Sequence, residues 1–422
     1  NPPCGAMRGF GCVQACFAHE AQMDRLADAL GIDPVELRLV NALEPGDRII
    51  TGQRITGTAP VAEVIRSCAD HPSAAARSDN SMSRPGGAGR TADVEHVVRG
   101  EALAVGFKNL MFSEGFDDYS TAACRLADGV ATITSACAEV GQGFVTLAHQ
   151  IAHEVLGVDE VVLAPVSTAT IASAGSTSAS RQTWMSGGAV QAACEAVRAR
   201  LLDRVAAAHG VPVDDLVLVD GQVAALSGAF EMDLAEATAQ PVEAEEVYRH
   251  APTVALNDDG QGDAHVSFAF SAHRAIVDVD VDLGLVKVVE LTTSQDVGRV
   301  LNPLQVIGQL EGGAAQGIGL AVLEELQVAE GRILNPSFTD YLLPTALDMP
   351  PVEIAALIEQ PEPGAPFGAK GVGEPPTISS TAAVAAAVRR ATGLDLPRVP
   401  IRPADIAFRG GTGQRPSGED PS

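Results

Sequence analysis

Basic side chains are scarce in this sequence: 28 Lys and Arg stand against 54 Asp and Glu among 422 residues, a formal net charge of −26 with histidine neutral. Such a field repels polyanions, which excludes a general binder of nucleic acid or of anionic membranes, though local basic pockets stay open. Long apolar runs are missing too. No stretch approaches the ~18–20 residues that a membrane span requires; the longest break at Gly, Ser or a charge. The seven cysteines (4, 12, 16, 68, 124, 137 and 194) form no CxxC pair. That spacing excludes a zinc ribbon and an iron–sulfur cluster on closely spaced ligands. Their odd number reads as reduced thiols of a cytoplasm. There is no basic segment followed by an apolar one at Asn1-Pro2-Pro3-Cys4 and no initial Met, so a truncated or split chain is expected. Aromatics make up only 4% of the chain.

What is present supports packed cores: 46% of residues are apolar and only 19% are charged. The length is about three times a usual ~150-residue domain, so two or more units are expected. Helical spacing predicts helices over 17–30, from Asp33-Pro34 onward (Asp as N-cap, Pro at the first turn) and over 61–68. Residues 72–92 are small, polar and Gly/Pro-rich and read as a linker. Beyond it, strands are expected over 103–110, 122–126 and 130–137, the last two joined at Asp128-Gly129. Further strands are expected over 266–281 and 285–293, turning at Leu283-Gly284. Helices are expected over 145–156, 188–208, 305–321 and 379–392. This order is not a regular strand–helix alternation, so the fold class is α+β with mixed sheets and not a doubly wound parallel sheet. No repeat of 20–50 residues occurs. The organisation is then 1–71, a linker 72–95, a main unit 96–408 and a polar tail 409–422.

Several glycine-rich segments carry candidate chemistry. Gly141-Gln142-Gly143 precedes a helix whose unpaired amides suit an anion or a polar ligand edge, but it lacks the rest of a dinucleotide fingerprint. Gly175 to Thr183 is dense in hydroxyls and could ring a phosphate or be a plain surface loop. Gly368-Ala369-Lys370-Gly371-Val372-Gly373-Glu374-Pro375-Pro376 is the most unusual. Its glycines permit close approach to a bulky ligand, its prolines predict extended backbone at Glu374 and Pro375, and a carboxylate so framed is a candidate general base. His149 and His153 stand at i, i+4, but the following Glu breaks the zincin order, so a solvated helix face is expected. No Gly-x-Ser-x-Gly elbow is present. Phe10, in a glycine-rich loop, and Phe112 are read as core packing on composition alone.

In combination these segments resemble the xanthine dehydrogenase/aldehyde oxidase family of molybdenum hydroxylases. The residues that carry the resemblance are Asn1 to Gly11 with Arg8-Gly9-Phe10-Gly11, the run from Met23 to Arg38, Gly141-Gln142-Gly143, Thr177 to Thr183, Asp296 to Gln316, and Gly371 to Pro376. Gly106-Phe107-Lys108-Asn109 and Phe112 to Asp118 are similar to the molybdenum-binding subunit of bacterial multi-subunit xanthine dehydrogenases.

The resemblance implies a molybdenum–molybdopterin cofactor, in the cytosine dinucleotide form, held by its pterin dithiolene and by no metal-ligating side chain. It implies hydroxylation of a purine ring carbon, hypoxanthine or xanthine to urate, with water as the oxygen source. Glu374 is implied as the general base, and Phe10 and Phe112 as the rings that sandwich the purine. Arg8, Gln142, Thr177, Ala179, Ser180, Thr183, Gln309, Lys370, Val372 and Gly373 are implied cofactor contacts. The family's subunit begins with a further domain that orients the purine, so this chain is expected to be the C-terminal part of it. The expected partners are the chain or domain with that missing part, and iron–sulfur ([2Fe-2S]) and FAD subunits, in a cytoplasmic dimer of heteromers serving purine catabolism. The alternatives are the same chemistry on another N-heterocycle such as nicotinate or on an aldehyde, and a cofactor-binding half with no turnover alone.

Overall fold

The computed structural model describes residues 5–73, 96–167 and 169–408. Most of the expected linker and the polar tail lie outside the described residues.

Three helices come first: α1 (Cys12–Leu30), α2 (Pro34–Val40) and α3 (Val61–Ala69). Then follow β1 (Val97–Leu110), β2 (Tyr119–Ala127), β3 (Val130–Ser135), α4 (Phe144–Leu156), β4 (Val161–Leu163) and α5 (Gln182–His209). A small sheet of β5 (Leu216–Val219), β6 (Gln222–Ala225) and β7 (Glu231–Asp233) leads through α6 (Leu234–Ala237) to β8 (Val242–Arg249). The long hairpin β9 (Ser267–Asp280) and β10 (Leu285–Asp296) precedes α7 (Pro303–Val322). The short pair β11 (Val328–Ala329) and β12 (Arg332–Ile333), β13 (Val352–Ile358), α8 (Pro375–Ile378), α9 (Ser380–Thr392) and α10 (Pro403–Ala407) complete the described chain.

Two layered bodies result, and the class is α+β as expected. The first is built on the sheet β1-β9-β10-β13. Every residue of β9 is buried, which requires cover on both faces because successive side chains alternate. Phe268, Phe270 and Ala272 pack with Ile55, Val64, Ile65 and Cys68 around α3. On the opposite face Ala275, Val277 and Val279 meet Val13 and Cys16 of α1, Ala314 and Ile318 of α7, and Ala382 to Val388 of α9. The second body places α4 and α5 against the sheet β4-β3-β2-β8, with Ile133, Leu147, Ile151, Val190 and Val197 in its core. Leu110, Met111, Trp184, Met185 and Ala269 form a small apolar seam between the bodies.

Local chemistry explains the element ends. Asp33 caps α2 as expected, its Oδ1 accepting from the amides of Val35 (2.8 Å) and Glu36 (3.1 Å), a contact that stabilises a helix by about 1 kcal/mol. Asp128 and Gly129 both take positive φ (50° and 80°), the primed turn that matches strand twist. Other ends differ from the sequence reading. Helix α1 starts at Cys12, ahead of the expected Phe17, because Gly9 and Gly11 (φ 95° and 89°) end the loop and Val13 and Cys16 already face the core. Helix α5 starts at Gln182 and not at Gly188. The glycines there are interior contacts: a Cβ at Gly188 would meet the Tyr248 ring and Pro366 at 3.0 Å. Strands β4 to β8 and β11 to β13 have no counterpart in the sequence reading. In β8, burial alternates from Val242 to Ala244 and Glu246, but its run of glutamates hides that rhythm.

Candidate active site

Six chain segments converge on one cavity of about 320 Å³ at the junction of the two bodies. The wall carries the loop before α1 (Met7, Arg8), the Gln142-Gly143 turn, the loop before α5 with that helix's first residues (Thr177 to Thr183, without Ala179), the turn after β10 (Val297, Arg299, Asn302), α7 (Gln305, Gln309) and the segment Ala369 to Glu374. Of the residues singled out from the sequence, Arg8, Gln142, Thr177, Ser180, Thr183, Gln309, Lys370, Val372, Gly373 and Glu374 all border it.

Glu374 is 7% exposed and is held by three separate segments. Its Oε1 accepts from the Gly9 amide (3.3 Å), its Oε2 from Ser180 Oγ (3.5 Å), and Lys108 Nζ lies 3.4 Å from Oε2. Its own amide donates to Ser180 Oγ (2.8 Å). The expected extended backbone is not observed. Glu374 takes φ −105° and ψ −37°, and Pro375 and Pro376 open α8. A proline fits the first turn of a helix, where its missing N–H costs nothing, and Thr377 N donates to Glu374 O (3.0 Å), closing the turn.

Close approach is built into this corner. A Cβ on Gly371 would overlap the carbonyl oxygen of Ser180 and lie 2.8 Å from its carbonyl carbon. Ala179 and Ser180 themselves take positive φ (51° and 48°). Arg181 holds that strained loop from beneath. Fully buried, it donates two hydrogen bonds to the Asp118 carboxylate (2.9 and 2.6 Å) and others to the carbonyls of Ala174 (2.7 Å), Ser176 (3.0 Å) and Tyr119 (3.0 Å). Ala179 lies just behind the wall, its carbonyl accepting from Met111 N (2.9 Å).

Arg8 ties three segments together through Gly373 O, Gln309 O (2.9 Å) and Gln309 Oε1 (3.2 Å). Burial lowers its pKa to about 10, against the pull of Glu374. Lys370 borders the cavity, but not through its charge. Its ammonium points away from the cavity into a fully buried cluster, 2.7 Å from Asp296 Oδ2 and 3.3 Å from Glu362 Oε2. Only its remaining atoms can border a ligand. Burial raises Asp296 to about 6 even beside that ammonium.

The Gly141–Gly143 turn is also committed internally. Glu139 accepts from the amides of Gly141 (2.8 Å), Gly143 (3.1 Å) and Val145 (3.0 Å). Burial works against its charge, but these amides hold its pKa below the usual range. An external anion at the start of α4 would have to displace that carboxylate, so the expectation of a free helix end there is corrected. Gln142 folds onto its own turn through Val140 N (2.7 Å) and Ala138 O (2.9 Å). Thr177 Oγ1 donates to Ala138 O (3.1 Å). His153 Nδ1 sits 2.7 Å from Val158 O, a helix-end contact.

The two phenylalanines are not on this wall. Phe10, 73% exposed with φ 47°, borders a neighbouring hollow with Met7, Val13 and Leu320. Phe112 packs edge-on against Phe116 (5.0 Å between centroids) and under the Arg181 guanidinium (5.5 Å). Sequence reasoning missed Lys108, Asp118, Arg181, Asp296 and Glu362 as site-building residues. All but Glu362 stand within segments that carry the resemblance, but nothing in their local pattern marks a buried charge.

The cavity fits a bulky polar cofactor. The amides of Gly371, Val372 and Gly373 on one wall, and of Thr177, Ser178 and Ser180 on the other, have no acceptor among the described residues. These residues border the cavity, Gly371 buried and the others half-buried, so a ligand rich in acceptors can be met by their amides. Comparison with known proteins agrees. The description "molybdopterin cofactor-binding domain" matches residues 76–350 and 1–42 in two family models. The chain belongs to the molybdopterin cofactor-binding domain family. Within the family it is 30% identical to the putative xanthine dehydrogenase molybdenum-binding subunit XdhA of Escherichia coli (strain K12), over 95% of this chain and 53% of that protein. It is 31% identical to the nicotine 6-hydroxylase large subunit of Paenarthrobacter nicotinovorans, over 92% of this chain and 48% of that protein. The quinoline 2-oxidoreductase of Pseudomonas putida 86 superposes with a TM-score of 0.82 at 28% identity, over 97% of this chain and 53% of that one. The chain thus spans about half the length of these relatives. The expected family and α+β fold are borne out.

Proposed function

We propose that this chain supplies the cofactor cleft and the general base of a molybdenum hydroxylase that oxidises a purine ring carbon, hypoxanthine or xanthine to urate, with oxygen from water. The observation that carries the reading is Glu374: a buried carboxylate, fixed by Gly9, Ser180 and Lys108, at a cavity edged by unpaired amides. When bound, the molybdenum–pterin group supplies a Lewis acid and a two-electron acceptor. The residues that would hold it are the main chain of Gly371 to Gly373 and of Thr177 to Ser180, with Thr183, Gln142 and Gln309 along the wall. Arg8 orders Gly373 and Gln309 against one another, and Asp118–Arg181 holds the loop beneath. Glu374 takes the proton released as water's oxygen is transferred, and its burial excludes bulk water from that step.

Phe10 and Phe112 are proposed as purine contacts on resemblance, outside the cavity wall. The missing half of the relatives' length would complete the substrate side, and iron–sulfur and FAD partners would carry the electrons onward, in a cytoplasmic assembly. The cytosine dinucleotide form of the pterin belongs to the same proposal. Among the described residues no helix is long and apolar enough to cross a membrane. The likeness to quinoline 2-oxidoreductase and to nicotine 6-hydroxylase supports a second reading, the same chemistry on another N-heterocycle.

The test is Glu374→Gln in the complex purified through this chain, with elemental analysis for molybdenum and a xanthine-dependent dye-reduction assay. Loss of turnover at unchanged molybdenum content is expected. Normal turnover would sink the base assignment, and molybdenum with turnover of another heterocycle alone would move the substrate to the second reading.

A further inference from the structure

Among the described residues, Lys108 is the site-building group whose charge reaches the reacting carboxylate directly, and it comes from an element that the cavity does not touch. It sits near the end of β1, 4% exposed, 3.4 Å from Glu374 Oε2. An ammonium carries three N–H donors and no acceptor. Two of them are spent on Asn109, through its carbonyl oxygen (3.0 Å) and its Oδ1 (2.7 Å). Asn109 is itself fixed, its Nδ2 donating to Ser113 Oγ (2.9 Å). Toward Glu374 the ammonium acts as a charge, in an ion pair at 3.4 Å. It does not border the cavity.

The hydrogen bonds on the Glu374 carboxylate come from uncharged donors. Ser180 Oγ lies at 3.5 Å and already accepts from the Glu374 amide, and the Gly9 amide lies at 3.3 Å. Arg8 feels the same carboxylate, but its guanidinium is bonded to Gly373 and Gln309. A unit charge 3.4 Å from the carboxylate, both groups buried, attracts it strongly, so Lys108 biases the orientation of Oε2. The arrangement also spans the seam between the bodies: β1 and Asn109 belong to the first sheet, and Ser180 leads into α5 of the second.

We propose that Lys108 is a positioning residue, which holds Glu374 in one orientation at the edge of the cofactor cleft and makes no contact with substrate. The proposal rests on the reading of Glu374 as the base, and it adds a residue to which no role had been given.

The experiment compares Lys108→Met, Lys108→Arg and Glu374→Gln in the assembled complex. The readouts are molybdenum and pterin content, thermal stability, and the separate kcat and KM for xanthine. Lys108→Met is expected to keep its cofactor and a KM within twofold, while kcat falls by roughly tenfold to a hundredfold, the scale of a misplaced reacting group. Lys108→Arg should recover most of the lost kcat. A raised KM at unchanged kcat would mean that Lys108 meets substrate and would overturn the proposal, as would full activity in Lys108→Met. If Lys108→Met loses cofactor, the same split is read on Lys108→Gln, and wild-type kcat there overturns it. Turnover in Glu374→Gln would instead remove the underlying reading of the base.

Discussion

Gly371→Ala is the sharpest probe of how the cleft is built. An added Cβ would overlap Ser180 O and stand 2.8 Å from the Ser180 carbonyl carbon, where ordinary contact begins at 3.4 Å. That carbon must therefore retreat by about 0.6 Å, and the oxygen in front of it further. Neither atom is the end of a flexible side chain. Ser180 already has positive φ, and the neighbouring Arg181 is locked on Asp118, so the loop has little slack. Over-packing of this kind costs about 1–3 kcal/mol, whereas the general benefit of alanine over glycine in the unfolded chain is about 0.4–1 kcal/mol. The clash wins. Separation of the two walls also lengthens the bond from Glu374 N to Ser180 Oγ, now 2.8 Å. The assay is denaturant unfolding together with molybdenum and pterin content of the complex. Gly373→Ala is the internal control, since its Cβ would meet nothing nearer than Ser180 Oγ at 3.4 Å and should change stability by no more than about 0.5 kcal/mol. Equal stability and equal cofactor content in Gly371→Ala and Gly373→Ala would refute the close approach of these walls.

Other perturbations test the charges around the cleft. Lys370→Met strands Asp296 and Glu362 as buried carboxylates without their cation. Unfolding experiments should show a loss of about 3–5 kcal/mol, with cofactor content falling because Gly371 to Glu374 lose their anchor; an unchanged unfolding midpoint would show the cluster to be dispensable. His273 is fully buried, and that burial lowers its pKa from 6.5 to about 3. Between those values the unfolded chain binds a proton that the folded one refuses, so stability is lost as pH falls below 6.5, by up to about 1.4 kcal/mol per pH unit. His273→Gln should flatten that part of the stability–pH curve, and an unaltered slope would exclude His273 as its source.

Much of the architecture is legible in the sequence because it follows from local rules. Asp33-Pro34 opens α2, Asp128-Gly129 turns β2 into β3, and the apolar run at 266–281 becomes a strand covered on both faces. The errors share a cause. Gly187-Gly188 and Gly100 look like breaks in a helix and a strand, yet each is a place where another element approaches: Tyr248 and Pro366 at the first, Ala387 and Ala391 at the second. A pattern along one segment cannot display a neighbour that arrives from far along the chain. The same limit applies to β8, whose glutamates mask its alternation, and to Glu139, whose place as the cap of α4 depends on the path of its turn.

The candidate site divides along the same line. Backbone-shaped features, the glycines of 371–373 and the hydroxyl loop at 177–180, were visible because close approach leaves its mark in residue type. Charges were not. Lys370 was read as a ligand contact, but its ammonium faces Asp296 and Glu362, and Lys108, which does reach Glu374, sits in a strand where a lysine ordinarily points to water. A buried lysine is tolerable only beside an acceptor set that desolvation cannot outweigh, and such sets are assembled here by carboxylates from distant parts of the chain, Asp296 for Lys370 and Glu374 for Lys108. Glu374, the proposed base, thus depends on the docking of the two bodies: Gly9 and Lys108 approach it from the first sheet's side, and Ser180 from the loop that opens α5. It follows that a perturbation confined to the seam, at Met185 or Leu110, should reach Glu374 without touching the cavity wall, and that neither body alone presents the carboxylate in its working geometry.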